Sequence, residues 1–206
     1  MVIAVAGNIG TGKTTLVRRL SDQLEFTAEF EAARNNPYLS LFYEDMQRWA
    51  FQLQVYFLGC RFKQGLKLKE QQSGVVLDRT IYEDAEIFAK NLYESEILSE
   101  IDYKNYLNLY QSMQELTPTP DLLIFLEGSP ELLKERILER SRLERSYEKD
   151  IPLTYLKRLN KYYSAWVSKY TYSPKISINI DQIDLAKNEH FETLLEKIQN
   201  LKKCVT

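Results

Sequence analysis

Cysteine and histidine are nearly absent from this chain. Its 206 residues include 2 cysteines, Cys60 and Cys204, and 1 histidine, His190. The two thiols lie far apart without metal-ligand spacing, which argues against a zinc site; reduced cysteines in a cytoplasmic compartment are the default expectation. Positive charge is not in excess either. Lys and Arg number 27 against 29 Asp and Glu, for a net charge of −2 and a pI near 5.7. No basic field therefore advertises a nucleic-acid partner, although a small basic pocket stays possible. No apolar run approaches the ~20 residues that span a bilayer, so no membrane partner is expected. Nothing at the N-terminus reads as a signal or transit peptide, because an apolar run begins at residue 2. Internal repeats and low-complexity tracts are also lacking. What is present, 44% hydrophobic and 27% charged residues, describes an ordinary soluble globule whose length suits one domain, 1–206.

The most informative stretch is the first. Val2 to Ala6 is a short apolar run that reads as a buried strand. It leads directly into Gly7-Asn8-Ile9-Gly10-Thr11-Gly12-Lys13-Thr14, which fills every fixed position of G-x-x-x-x-G-K-[ST], and then into a helical stretch from Thr15. Glycines at these positions let successive N–H groups point at phosphate oxygens. Lys13 supplies a point charge for the β- and γ-phosphates, Thr14 a hydroxyl for Mg²⁺, and the helix N-terminus a partial positive charge. Gly7 through Thr15 are the candidate ATP-binding residues.

Along the chain, strand-like runs at Phe26–Phe30, 75–77, Asp121–Leu126 and Lys175–Ile180 alternate with helical segments. The stretch from Leu39 to Glu70 reads as one long helix, with a kink allowed. Residues 83–116 read as helical with an interruption at 99–102, and further helices are expected from Pro130, over Leu153–Tyr170 and over Glu189–Lys203. This alternation implies an α/β protein: a five-stranded parallel sheet with helices on both faces and its ligand crevice at the carboxyl ends of the strands.

Four groups of residues beyond the P-loop can carry chemistry. Glu31 follows the second strand, where a carboxylate can accept a hydroxyl proton during phosphoryl transfer or simply stand solvated at a strand end. Asp78 and Arg79 follow the third strand, as orienters of Mg²⁺ and of phosphoryl charge or as a surface ion pair. At 100° per residue, Tyr43, Gln54 and Arg61 fall within ~20° of one another on a continuous helix. That stripe suits a polar ring, whose edge an amide can pair with bidentately, or else a solvated face. Arg136, Arg140, Arg142 and Arg145 crowd one segment, either as a lid clamping a triphosphate or as an exposed helix salt-bridged to interleaved glutamates.

Taken together, GNIGTGKTTL, Glu31 followed by AARNNPYL, FQLQVYFLGCR, LDRTIYEDAEIFAKNLYESE, FLEGSPELLKERILER and EKDIPLTYLKRLN resemble the deoxynucleoside kinases over nearly the whole chain. The resemblance implies transfer of the ATP γ-phosphoryl to the 5′-hydroxyl of a deoxynucleoside, with Mg²⁺, in nucleotide salvage. It implies Glu31 as general base, Asp78 near Mg²⁺, and Arg79 facing phosphate with Lys13. Tyr43 would hold the 3′-hydroxyl and Gln54 would read the base. Arg61 and Asp84 would contact the far edge of the base, and Arg136, Arg140 and Arg142 would reach the donor from a lid spanning about 136–150. Three departures stand out: Glu31-Ala32-Ala33 where the family has EPV, Thr80 where it has serine, and a longer lid. Counting forward from Pro130 selects Arg142 and Glu144, whereas counting back from Pro152 selects Arg145 and Glu148. We keep Arg142 for the donor and Glu148 as partner of Tyr43. The Arg61/Asp84 pair resembles the kinases for dA, dG and dC more than those for dT. A homodimer is implied as well.

The alternative is a nucleoside monophosphate kinase of thymidylate kinase type, although its anionic acceptor is poorly served by Glu31. A GTPase-like switch is disfavoured, because the only Asn-Lys pair, Asn160-Lys161, is followed by Tyr162-Tyr163 where N-K-x-D would place an aspartate.

Overall fold

The apolar runs form β1 (Val2–Gly7), β2 (Thr27–Glu29), β3 (Val75–Asp78), β4 (Leu122–Glu127) and β5 (Lys175–Asn179). They join in one parallel sheet of order β2-β3-β1-β4-β5. The structure is a computed structural model that describes residues 1–30, 36–143 and 146–205. The three central strands are buried at nearly every position, as expected of parallel strands covered on both faces. α1 (Lys13–Leu24) carries the chain from β1 to β2 on one side, whereas the chain leaving β3 travels to β4 on the other. Such a reversal opens a crevice outside the carboxyl ends of β1 and β3. Among the described residues no helix is long and apolar enough to cross a membrane.

The expected long helix is two helices. α2 (Leu39–Glu44) ends at Asp45, which is extended (φ −144°, ψ 90°), and α3 (Met46–Leu68) begins at the next residue. Asp45 closes one helix and opens the other: its backbone N–H donates to Leu41 O, and its carboxylate accepts from Arg48 N at 3.0 Å. An aspartate competes with helical hydrogen bonding by capping the helix that follows. Tyr43 therefore lies on α2, and the single-helix stripe with Gln54 and Arg61 does not exist.

The segment after β3 also departs from expectation. A short α4 (Ile81–Glu83) runs through a π-helical turn (Asp84–Ala89) into α5 (Lys90–Glu94), and α6 (Glu100–Gln114) follows. The interruption falls at 95–99 rather than 99–102. Glu96 adopts a left-handed φ of 57°, and Ser99 caps α6 by accepting from Asp102 N. α7 (Pro130–Ser141), a 3₁₀ turn (Ser146–Asp150), α8 (Leu153–Lys169) and α9 (Asn188–Val205) complete the order. The 3₁₀ turn lies against both α7 and α2, which brings the lid segment to the mouth of the crevice.

Replacing Asp45 by alanine removes the α3 cap and should cost about 1 kcal/mol of stability. A thermal melt of Asp45→Ala is expected to shift down by a few degrees, and an unshifted melt would deny the cap its role.

Candidate active site

Parallel pairing of β1 with β3 sets Val5 opposite Asp78, and Arg79 N donates to Val5 O at 3.0 Å. The strand ends therefore deliver Gly7 and the Asp78-Arg79 pair to one level. Around Gly7 and Gly10 the backbone takes φ of 150° and 87°. A Cβ there would stand 2.6 Å from Leu126 O and 2.8 Å from Leu133 O respectively, so only glycine lets the loop lie this close to β4 and α7. Lys13 Nζ donates to Asn8 O at 2.8 Å, folding the lysine over its own loop. Asn8 ties that loop to α8: Nδ2 donates to Leu156 O (3.0 Å) and Asn160 Oδ1 (2.6 Å), while Oδ1 accepts from Ile9 N.

Beside the loop, Thr14 Oγ1 donates to Asp78 Oδ2 at 2.5 Å. Asp78 is 1% exposed, and its Oδ1 has no hydrogen-bond partner among the described residues. A buried carboxylate oxygen left over next to a hydroxyl is a donor set of the kind Mg²⁺ takes, so these residues fit the ion that the sequence implies.

A cavity of about 470 Å³ opens from the P-loop and is lined by Thr14, Arg79, Tyr43, Gln54, Asp84 and Glu148, among others. The volume is typical of small-molecule sites. Gln54 is buried on α3, and its Oε1 has no partner among the described residues. Arg61 does not line the cavity. It sits behind Asp84, with Nε 3.5 Å from Asp84 Oδ2 and Nη1 donating to Asp78 O at 2.8 Å. Tyr43 reaches the cavity from α2 despite the broken helix and stacks on Tyr147 of the 3₁₀ turn, with ring centroids 5.8 Å apart.

The lid arginines are not equivalent. Arg136 Nη1 lies 4.0 Å from where a Cβ on Gly12 would stand. Arg140 lines the cavity and is ion-paired with the buried carboxylate of Glu148. Arg142 is exposed at the C-terminus of α7 and is not among the lining residues. Of the two counts, the backward one delivers its carboxylate to the cavity as Glu148. Glu31, Glu144 and Arg145 lie outside the described residues.

Several lining or supporting residues escaped the sequence reading. Phe88 forms part of the wall and packs under the Arg79 guanidinium, 4.7 Å from the ring centroid. Tyr155 also lines the cavity, its phenol pushed up to about 12 by burial, with the positive charges of Arg158 and Arg79 opposing. The phenol is neutral across the physiological range. Glu83 and Tyr163 are buried behind Arg79; Glu83 was legible only through Thr80-x-x-Glu83, a capping-box spacing, and Tyr163 carried no signal of its own.

With this geometry in place, comparison with known proteins is decisive. A family model described as deoxynucleoside kinase matches residues 3–203. The chain belongs to the deoxynucleoside kinase family. It is 37% identical to a deoxyadenosine/deoxycytidine kinase of Bacillus subtilis over 203 residues, covering 97% of this chain and 92% of the relative. It is 43% identical to a deoxyadenosine kinase of Dictyostelium discoideum over 178 residues, covering 86% and 71%. The solved structure of deoxyadenosine kinase from M. mycoides with bound dATP superposes with a TM-score of 0.85 at 29% identity, covering 97% of this chain and all of the other. The chain is thus an ATP-dependent deoxynucleoside kinase, and the thymidylate kinase alternative is set aside.

Because Asn160 holds Asn8 from outside the cavity lining, Asn160→Ala should loosen the loop without touching the acceptor. We expect KM for ATP to rise about five- to tenfold, the equivalent of one lost hydrogen bond, with KM for the nucleoside within twofold. Equal changes in both constants would contradict this division.

Proposed function

We propose that this deoxynucleoside kinase takes an amino-bearing base, dA, dG or dC, in preference to dT. The observation that carries this reading is the polar end of the cavity. There Gln54, with an unpartnered amide oxygen, faces the same space as Asp84, which Arg61 pairs from behind. A carboxamide beside a carboxylate offers acceptors to an exocyclic amino group, whereas thymine presents a carbonyl oxygen where cytosine carries that amino group and keeps only its ring N–H as a donor. The names of the B. subtilis and D. discoideum relatives agree with this choice.

Tyr43 and Glu148 would hold the 3′-hydroxyl, and this would orient the 5′-hydroxyl toward the P-loop. The 5′ oxygen attacks the γ-phosphorus, the bond to the ADP oxygen breaks, and the hydroxyl proton passes to a carboxylate. Glu31 is the candidate for that base, on its place after β2 in the sequence. Lys13, Arg79, Arg136 and Arg140 would bind the charge spread over the phosphoryl oxygens, the term that dominates such transfers. Thr14 and Asp78 would hold Mg²⁺, which supplies charge neutralisation on the β- and γ-phosphates when bound. Arg142 would join the donor side only from its exposed position. Exposed apolar side chains, Leu66 on α3, Ile101 and Leu109 on α6 and Leu116 just after α6, support a homodimer through these helices. A cytoplasmic location completes the proposal. The dATP held by the M. mycoides enzyme supports end-product inhibition here by the cognate deoxynucleoside triphosphate.

The test is turnover of dA, dG, dC, dT and dCMP with ATP and Mg²⁺, for the parent and for Gln54→Leu. One of the first three should dominate, and the substitution should lower its kcat/KM about 10- to 100-fold, the range for a lost bidentate base contact. Preference for dT, or an indifferent Gln54→Leu, would refute the assignment. Glu31→Gln should lower kcat by about 10²-fold or more if that carboxylate takes the proton.

A further inference from the structure

Arg79 is the residue nearest to being strained in the site. It is 4% exposed and adopts φ of 74°, a left-handed conformation costly for a side chain with a Cβ. Such a backbone persists only where its surroundings over-determine it, and the surroundings converge on one carboxylate. Glu83 is fully buried. Its Oε2 accepts from Thr80 N at 2.8 Å and lies 3.4 Å from Thr80 Oγ1. Its Oε1 accepts from Tyr163 OH at 2.8 Å, from Arg79 Nη1 at 3.3 Å and from Gly7 N at 3.4 Å. Arg79 Nη1 also donates to Tyr163 OH and, at 3.1 Å, to Gly7 O. The first P-loop glycine, the turn after β3 and helix α8 thus meet at a single side chain.

We propose that Glu83 is a positioning residue of the phosphoryl transfer. It fixes the Arg79 guanidinium relative to the P-loop, with Tyr163 as its brace. A neutral amide would fill the same space yet attract the guanidinium less and return only one acceptor oxygen. The α4 capping box forms through the same carboxylate, but a cap needs neither burial nor a bond to Gly7. The proposal rests on Arg79 acting on phosphate in the reading above.

Four enzymes test it: the parent, Glu83→Gln, Arg79→Ala and the double variant, with melting temperatures alongside. Glu83→Gln should lower kcat about a hundredfold, as misplacement of a charge-stabilising group does, with nucleoside KM within threefold. In the Arg79→Ala background the same change should cost less than about twofold, because residues acting as a unit are non-additive. Equal losses in both backgrounds, tracking the melting temperature, would reduce Glu83 to a structural cap and overturn the proposal. Should Glu83→Gln fail to fold, Tyr163→Phe removes one hydroxyl from the same network and should lower kcat about tenfold. An unchanged kcat in that variant would equally overturn it. The Nη–H NMR resonances of Arg79 need no turnover, and Nη1 is the atom bonded to Glu83, Tyr163 and Gly7. They should be separately resolved in the parent and averaged by rotation in Glu83→Gln, and persistence in the variant would count against the proposal. Absence of deoxynucleoside turnover by the parent would instead sink the functional reading while leaving this spectroscopic test standing.

Discussion

The pairing of β1 with β3 is the constraint on which the site depends. Parallel strands in register carry their carboxyl ends to one level, and here those ends are Gly7 and Asp78. A two-residue slip would move Asp78 by about 7 Å along the strand and separate it from Thr14, with which it now shares a hydrogen bond. The register is itself secured by burial, since Val75, Val76, Ile3, Ala4 and Val5 are all nearly inaccessible and a one-residue slip would turn every side chain to the other face. Core packing and the Thr14–Asp78 geometry are therefore one requirement.

Onto this fixed level the chain attaches elements of differing firmness. The P-loop is clamped from three directions, by β4 and α7 through close backbone approach and by α8 through Asn8 and Asn160. The lid side is held differently. Arg140 and Glu148 pair with each other, and Tyr43 stacks on Tyr147. Both contacts join the donor-side lid to groups assigned to the nucleoside sugar. Arg140 is partly exposed but Glu148 is buried, so a guanidinium that turns to a phosphate leaves a buried carboxylate that another donor, such as a sugar hydroxyl, must satisfy. Donor and acceptor ends are thereby linked through side chains that can change partners, while the floor of the site stays rigid.

How much of this was legible in the sequence follows from how local each signal is. The P-loop and Asp78-Arg79 were readable because a fixed motif and a strand end are contiguous features, and the five strands were readable because buried parallel strands are apolar runs. The Tyr43–Gln54–Arg61 stripe failed for a specific reason. Asp45 is a single residue inside an otherwise helical composition, and whether an aspartate continues a helix or caps the next depends on tertiary context. Gln54 and Tyr43 still line one cavity, but from two helices, and Arg61 pairs with Asp84 instead of facing that cavity. Arg142 and Arg145 were ambiguous because counting forward from Pro130 and back from Pro152 gives different registers, with nothing between them to anchor the count. Burial of Glu148 against the cavity supplies that anchor for the carboxylate.

Glu83 illustrates the opposite failure. In the sequence it is one acid among 29, four residues from an arginine, which reads as an ordinary exposed helical pair. Its environment decides otherwise. A carboxylate stripped of water is stable only if its acceptor sites are filled, and here donors from the P-loop, the β3 turn and α8 fill them. Removing any one donor leaves the remaining contacts to carry a buried charge, so the network favours a single arrangement of three separate chain segments. That cooperativity is what a phosphate-facing arginine needs. A guanidinium held by one exposed partner would relax toward whatever charge approached it, whereas one held by a buried hub would meet a phosphoryl already in place, with its reorganisation completed during folding.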